Sequence, residues 1–115
     1  MRSDVNEKDW KLFSNKIADW QEAFMGRLCR EYIELLSNES ENPSERFWAL
    51  ADRIKQDQRL TGVAAKRSRS TMQGNILDLL REGTITLDDL SDFSEELQER
   101  MRLLTTPLEE HSKHE

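Results

Sequence analysis

One face of a long helix is encoded in the first third of the chain. Apolar residues recur there at spacings of three and four, without a proline, in the order Trp10, Phe13, Ile17, Trp20, Phe24, Leu28, Tyr32 and Leu35. This is the period with which residues line one side of an α-helix. The pattern therefore predicts an amphipathic helix that must bury this face.

The predicted helix, from about Asn6 to Asn38, is long for a chain of 115 residues. Asn6 suits the N-cap, and Asp9 follows it at the spacing of a capping box. At 1.5 Å per residue the helix would measure about 50 Å, whereas a compact chain of this size is only about 35 Å across. The helix must therefore bend, with Gly26 its weakest point, overhang the core, or be covered by a second copy.

The same stripe argues against a long coiled coil. A heptad repeat counted from Trp10 would place Arg27 and Glu31 on the seam, but the apolar positions shift to Leu28 and Tyr32. The stripe thus follows the period of a straight helix rather than that of a left-handed supercoil. It favours a helix packed in a bundle.

A second helix is predicted to begin at Asn42-Pro43-Ser44-Glu45, with asparagine as N-cap and proline in the first turn. The residues of its apolar face are Phe47, Leu50, Ala51 and Ile54, with Trp48 beside them. Their helical spacing predicts that this face, too, packs against the rest of the protein.

The remaining helices are predicted to form an antiparallel hairpin. The third runs from about Gly62 to Gly83, a residue that suits the end of a helix, and the fourth from Thr86 to about Leu104. Folding the chain at the turn between them places Arg69 and Lys66 near the acidic side of the fourth helix. It also brings together three apolar pairs: Leu79 with Leu90, Ile76 with Phe93, and Met72 with Leu97.

We therefore expect an all-α fold, a four-helix bundle-like domain over residues 1–107 with a polar, disordered tail over residues 108–115. The scarcity of glycine and proline, 4 and 2 residues, agrees with this fold class. No apolar run is long enough to cross a membrane, and the first residues lack the apolar core of a signal peptide. The only cysteine, Cys29, cannot form an intramolecular disulfide, which suits a cytoplasmic protein.

Charge is unevenly distributed along the chain, whose net charge is −6. Residues 46–75 carry seven basic and two acidic side chains, and acidic segments flank them. Lys66, Arg67 and Arg69 are the sharpest candidates for nucleic-acid binding, because nucleic acids are bound largely through phosphates. The segment from Arg69 to Ile85 is similar to the recognition helix and turn of winged-helix repressors. A helix follows where such a domain has a β-hairpin, so the alternative of solvated or internally paired cations stays open.

The remaining polar groups match no catalytic or metal-binding pattern, so we expect a non-enzymatic protein without a cofactor or a metal. No Gly-rich phosphate loop, GxSxG or HExxH motif occurs. The acidic residues 88–99 lack the ligand spacing of an EF-hand, and His111 and His114 lack further ligands. Cys29 has no histidine near it in the sequence and is interpreted as a small flanking residue.

Aromatic residues supply the candidates for a protein interface. Of the three tryptophans, Trp20 and Trp48 are interpreted as core residues, whereas Trp10 is expected at an overhanging end of the first helix, with Phe13 beside it. Exposing the long apolar stripe to water would be unfavourable, since burying each large apolar side chain contributes about 1.5–3 kcal/mol to stability. The sequence therefore predicts a helical interaction protein that forms a homodimer through its long helices or their ends. A further protein partner stays open, and the small nucleic-acid-binding regulator is the alternative.

Several short segments between residues 8 and 100 resemble a family of small helical bacterial proteins without a characterised activity. They are Lys8-Asp9-Trp10-Lys11, Trp20-Gln21-Glu22, Glu31-Tyr32-Ile33-Glu34, Phe47-Trp48, Arg53-Ile54-Lys55, Gly62-Val63, Asn75-Ile76, Asp89-Leu90 and Phe93-Ser94. The resemblance implies a helical fold and no activity. Some members carry the label of multidrug transporter, from which this chain departs because it has no membrane-spanning segment.

Overall fold

The computed structural model describes residues 6–106, and all the regular structure in that range is helical. The four α-helices are α1 (Glu7–Ser37), α2 (Pro43–Asp57), α3 (Met72–Glu82) and α4 (Glu95–Thr105). Short 3₁₀ turns at Arg69–Thr71 and Leu87–Leu90 precede α3 and α4. The predicted all-α class and the long first helix are confirmed. The tail over residues 108–115, with His111 and His114, lies outside the described residues.

The hydrophobic core is built from the N-terminal half of α1, from α3 and α4, and from the segment that joins α3 to α4. Its buried residues are Phe13, Ile17, Met72, Ile76, Leu79, Ile85, Leu90, Phe93, Leu97 and Met101. All six residues of the three predicted apolar pairs belong to this core. Gly83 ends α3 in the left-handed conformation, with φ +81°, as its position in the sequence predicted.

The prediction that the third helix starts near Gly62 is wrong by ten residues, because α3 begins only at Met72. The backbone at residues 61 and 62 instead forms hydrogen bonds with side chains of α1 and α3. The carboxylate of Glu82 accepts hydrogen bonds from the amides of Thr61 and Gly62 at 3.0 and 3.2 Å, and the Gln21 side chain donates to the carbonyl of Thr61 at 3.0 Å. The Thr61 carbonyl, which would accept a hydrogen bond in the first turn of such a helix, is thus bound by Gln21 instead.

The start of the fourth helix was also predicted too early, because α4 begins at Glu95 rather than at Thr86. Both carboxylate oxygens of Asp9 accept from Ser94, one from its amide at 2.8 Å and the other from its hydroxyl at 2.6 Å. The Ser94 hydroxyl in turn accepts from the amide of Leu97 at 3.2 Å and caps α4. Asp9 thus fixes the entry to α4, and the predicted role for it in capping α1 is wrong. The N-cap of α1 is Asn6, which accepts from Lys8 and Asp9.

The molecule is elongated because the C-terminal half of α1 leaves the core. Its principal extents are 57 × 40 × 23 Å and its radius of gyration is 17.6 Å, against about 13 Å for a compact chain of this length. The helix continues through Gly26 without interruption. Just after Gly26, Arg27 still donates to the carbonyls of Gly83 and Thr84 at 2.8 and 3.3 Å. Beyond this contact α1 packs mainly against α2, and the two helices form a hairpin, here called the arm, over residues 25–58.

Candidate interaction surface

Two groups of polar contacts fix α2 against α1 and make the arm a defined unit. At its base, Tyr32 donates from its hydroxyl to Asp57 Oδ2 at 2.5 Å, and Arg53 Nε donates to the same oxygen at 2.9 Å. Arg53 also pairs with Glu31, and its guanidinium lies 5.6 Å from the centre of the Tyr32 ring. Asp57 is only 8% exposed, and these two donors compensate its burial.

The environment of this cluster changes the ionisation of its members. Burial, and then the hydrogen bond to Asp57, raise the pKa of Tyr32 to about 12. The hydrogen bond to Glu31, supported by the charge of Asp57, raises the pKa of Arg53 above its ordinary value. The cluster therefore joins α1 to α2 with a neutral tyrosine and a permanently charged arginine.

At the tip of the arm, Arg46 closes the turn between the two helices. Its guanidinium donates to the carbonyl of Leu36 at 2.5 Å and to that of Glu41 at 3.2 Å. The amide of Asn42 donates to Glu45 at 3.1 Å, which confirms the predicted start of α2. Contacts at both ends thus hold the arm together without a large apolar interior of its own.

The arm has an exposed apolar surface, grooved where Leu36, Phe47 and Ile54 line it, and we call this surface the arm face. Phe47 is 62% exposed, Trp48 64% and Ile54 38% on α2, whereas Ile33 is 63% and Leu36 42% exposed on α1. Asp57 is the only residue of α2 that is buried. The prediction that the apolar side of the second helix packs into the core is therefore wrong, as is the interpretation of Trp48 as a core residue.

Two depressions lie on the arm face, and Ile54 lines both. The first, near the tip, is a groove of about 490 Å³ lined by Leu36, Pro43, Arg46, Phe47, Leu50, Ala51 and Ile54. The second, at the base, is a pocket of about 200 Å³ lined by Met25, Leu28, Cys29, Tyr32, Ile54, Asp57, Gln58 and Val63. Apolar atoms dominate both linings, which is the character of a protein-contact surface rather than of a reaction site.

The opposite face of the arm is charged, unlike the apolar arm face. A shallow groove of about 610 Å³ there is lined mainly by Glu31, Glu34, Glu41, Glu45, Arg46 and Arg53. The arm as a whole is therefore an amphipathic hairpin, with an apolar side and a solvated side.

The interface candidates from the sequence lie away from the arm. Phe13 is 0% exposed inside the core, so it has no surface to offer a partner in this conformation. Trp10 is partly buried against the same core, with its ring centre 6.0 Å from that of Phe13. The overhang thus lies at the C-terminal end of α1, opposite to the end expected, because α3 and α4 cover the N-terminal half.

The predicted basic cluster is divided by the structure. Arg69 lies over the ring of Trp10 at 5.3 Å and pairs with both carboxylate oxygens of Glu7, at 3.1 and 3.2 Å. Its salt bridge is thus with α1, although Arg69 and Glu96 of α4 line one depression, in agreement with the predicted proximity of Arg69 to the acidic side of α4. Lys66 and Arg67 are exposed in the segment before α3, not on a recognition helix. Nothing in this arrangement favours the nucleic-acid alternative over internal pairing and solvation.

Signals for the arm face were present in the sequence. In the second half of α1, the apolar residues Met25, Cys29, Ile33 and Leu36 form a second stripe beside the predicted one. On α2, Trp48 widens the apolar side beyond the width that one neighbouring helix covers. Two apolar stripes on one half-helix, next to a short helix with an excess of aromatic surface, indicate a second contact.

The described residues form no metal-binding cluster and no membrane-spanning helix. Within residues 6–106 no three His, Cys, Asp or Glu side chains converge as metal ligands, and Cys29 is exposed. None of the helices in this range is both long enough and apolar enough to span a bilayer.

Comparisons with protein-family models, with curated proteins and with solved structures find no match for this chain. The family resemblance drawn from short segments of the sequence stays a prediction.

Proposed function

We propose that this protein is a non-enzymatic interaction protein that associates with a second copy of itself through the arm face. The observation that carries the proposal is the concentration of large, exposed apolar side chains on a two-helix arm, three of which, Leu36, Phe47 and Ile54, line one groove. Exposed apolar patches of this kind mark contact sites, because leaving them in water is unfavourable.

The aromatic residues alone give the patch a considerable size. A phenylalanine or tryptophan side chain presents about 150–250 Å², so Phe47 and Trp48, at 62% and 64% exposure, leave roughly 200–300 Å² per copy in water. Two copies would bury about twice this area, which is near a third of a standard interface of about 1,600 Å². The flanking aliphatic residues and helix backbone supply further contact area.

Charge also favours a second copy as the occupant. The chain is acidic overall, at −6, but among the residues that line the groove and the pocket only Arg46 and Asp57 are charged. Asp57 is paired with Arg53. Two arm faces can therefore meet without repulsion between them, and a pair of amphipathic hairpins completes a four-helix bundle. As Cys29 is the only cysteine, we also expect a cytoplasmic location.

Sedimentation velocity at tens of micromolar tests the proposal. We expect a dimer for the unmodified protein, a monomer for Phe47→Glu, and a dimer for the control Leu103→Glu. Leu103, on α4, is 60% exposed, so the control changes an equally exposed apolar residue away from the arm. Each copy contributes one Phe47 that is 62% exposed, so losing the burial of both costs about 2–4 kcal/mol, or a factor of roughly 30–1,000 in Kd.

A monomeric unmodified protein at this concentration would overturn the proposal, as would a loss of the dimer in Leu103→Glu but not in Phe47→Glu. Circular dichroism of both variants should retain the helical spectrum, since both positions are on the surface.

A further inference from the structure

We infer that the two copies pack with their arms antiparallel, so that Phe47 of each copy fills the base pocket of the other. This inference rests on the proposed self-association and adds its geometry. It makes the partner a second copy of this chain, related by a two-fold axis across the middle of the arm face.

The arm face carries both a projecting ring and a cavity that fits one. Phe47 is 62% exposed near the tip, with Trp48 packed edge-on beside it at 5.0 Å between ring centres. The base pocket has a volume of about 200 Å³ and an apolar lining, and an apolar cavity of about 150 Å³ is enough for a benzene ring. A projection and a recess on the same surface allow that surface to be complementary to itself.

The positions of these features define one two-fold axis. Along α2, Phe47 and the pocket residue Ile54 are seven residues apart, or about 10 Å, and the midpoint between them lies between Leu50 and Ala51. Along α1, Leu36 lines the tip groove and Cys29 lines the base pocket, so they are also seven residues apart. A two-fold axis that lies in the interface at this level, perpendicular to the helices, places the tip of each helix over the base of the same helix in the other copy. It does so for α1 and α2 together.

A parallel arrangement of the two arms is less complementary, because it leaves the base pockets unfilled. With the two-fold axis along the arm, the tips of both copies meet each other and the two base pockets also face each other. The pockets would then stay empty, which close packing at an interface disfavours. In the antiparallel arrangement both pockets are filled, and the small side chain of Ala51 near the axis allows the two α2 helices to approach closely.

The distance between the arm tips distinguishes the two arrangements. We suggest the chain with Cys29→Ser and Glu39→Cys, spin-labelled at the exposed tip position and measured by double electron–electron resonance. The tips lie about 25–30 Å apart in the antiparallel dimer, from the rise per residue along α2. They lie within about 20 Å of each other in the parallel dimer, where only the width of neighbouring helices separates them. A separation in the shorter range would overturn the inference.

A pair of tryptophan substitutions tests the occupancy of the pocket. Cys29→Trp fills the pocket from its own chain, so the dimer Kd should rise at least about 100-fold. The control Arg30→Trp places the same side chain at the neighbouring exposed position of α1, outside the pocket, and should change Kd by less than about threefold. Equal Kd values for the two variants would overturn the inference.

Sedimentation of the same samples separates the two failures. A monomer of the unmodified protein refutes self-association itself, whereas a stable dimer with close tips, or with no response to Cys29→Trp, refutes only the antiparallel register.

Discussion

Gly62 lies where the chain returns from the arm to the core, and replacing it with alanine should destabilise the protein strongly. A Cβ atom at this position would lie 2.5 Å from Cδ2 of Phe24, 2.9 Å from its Cε2, and 2.5 Å from the hydroxyl oxygen of Thr84. Ordinary contacts between carbon atoms are about 3.5–4.0 Å. The surrounding side chains must therefore move by about 1 Å, and both are only 6% exposed.

The expected cost of Gly62→Ala is about 2–3 kcal/mol, the upper part of the range for overpacking a close-packed interior. For a domain of about 100 residues this lowers Tm by roughly 10–20 °C. The backbone itself does not forbid alanine, since among the described residues only Gly83 has a positive φ. The cost is therefore steric, and the smaller side chain in Phe24→Leu should recover part of it.

Urea denaturation followed by circular dichroism measures this cost, at one low protein concentration so that dimerisation contributes equally to all variants. The matched control is Gly74→Ala in α3, where no described atom beyond the adjacent residues and the helix's own backbone lies within 4 Å of the added Cβ. It should stabilise by about 0.5–1 kcal/mol, because alanine has the better helix propensity. If Gly62→Ala were as stable as the unmodified protein, or if Phe24→Leu and Gly62→Ala had strictly additive effects, the steric explanation would be refuted.

Three further predictions concern buried or partly buried polar groups. Thr84→Val should stabilise by about 1 kcal/mol in urea denaturation, because the buried hydroxyl of Thr84 has no hydrogen-bond partner within residues 6–106, and a loss of stability would contradict this. Asp9→Ala should destabilise by at least about 2 kcal/mol, because it leaves the Ser94 amide without its acceptor. The control is Asp19→Ala, at an exposed position of the same helix. Equal unfolding midpoints for the two variants would refute the role of Asp9. Tyr32, the only tyrosine, should ionise in the folded protein with a pKa of about 12 rather than 10. Its contribution to the stability of the fold is therefore full below pH 10 and is lost as the pH rises to about 12. An absorbance titration of the native protein with a midpoint near pH 10 would contradict this.

The sequence predicted the helices best where each was decided by its own residues. The cap at Asn42 and Pro43 and the ending at Gly83 are local signals, and both are where they were expected. The starts of α3 and α4 were missed because they are decided by distant partners. Glu82 binds the backbone at residues 61 and 62, and Asp9 binds Ser94.

The candidate site was harder to predict than the fold. The apolar spacing of α2 correctly gave a helix with one apolar face, but the same spacing is produced by a core face and by an interaction face. Only the position of α2, beside the half of α1 that leaves the core, exposes Phe47 and Trp48. The partner of Arg69 was missed for a similar reason, because Glu7 is far from Arg69 in the sequence and adjacent to it in the structure.

The sequence by itself determined that this is an all-helical protein with a first helix too long for its core, since helix period, caps and length depend on neighbouring residues. The tertiary structure alone decided which half of that helix is covered. Burial depends on where α3 and α4 pack, and they cover the N-terminal half, with Phe13 and Ile17. The other half is left with α2 as an arm, and its unburied face is the feature on which the proposed function rests.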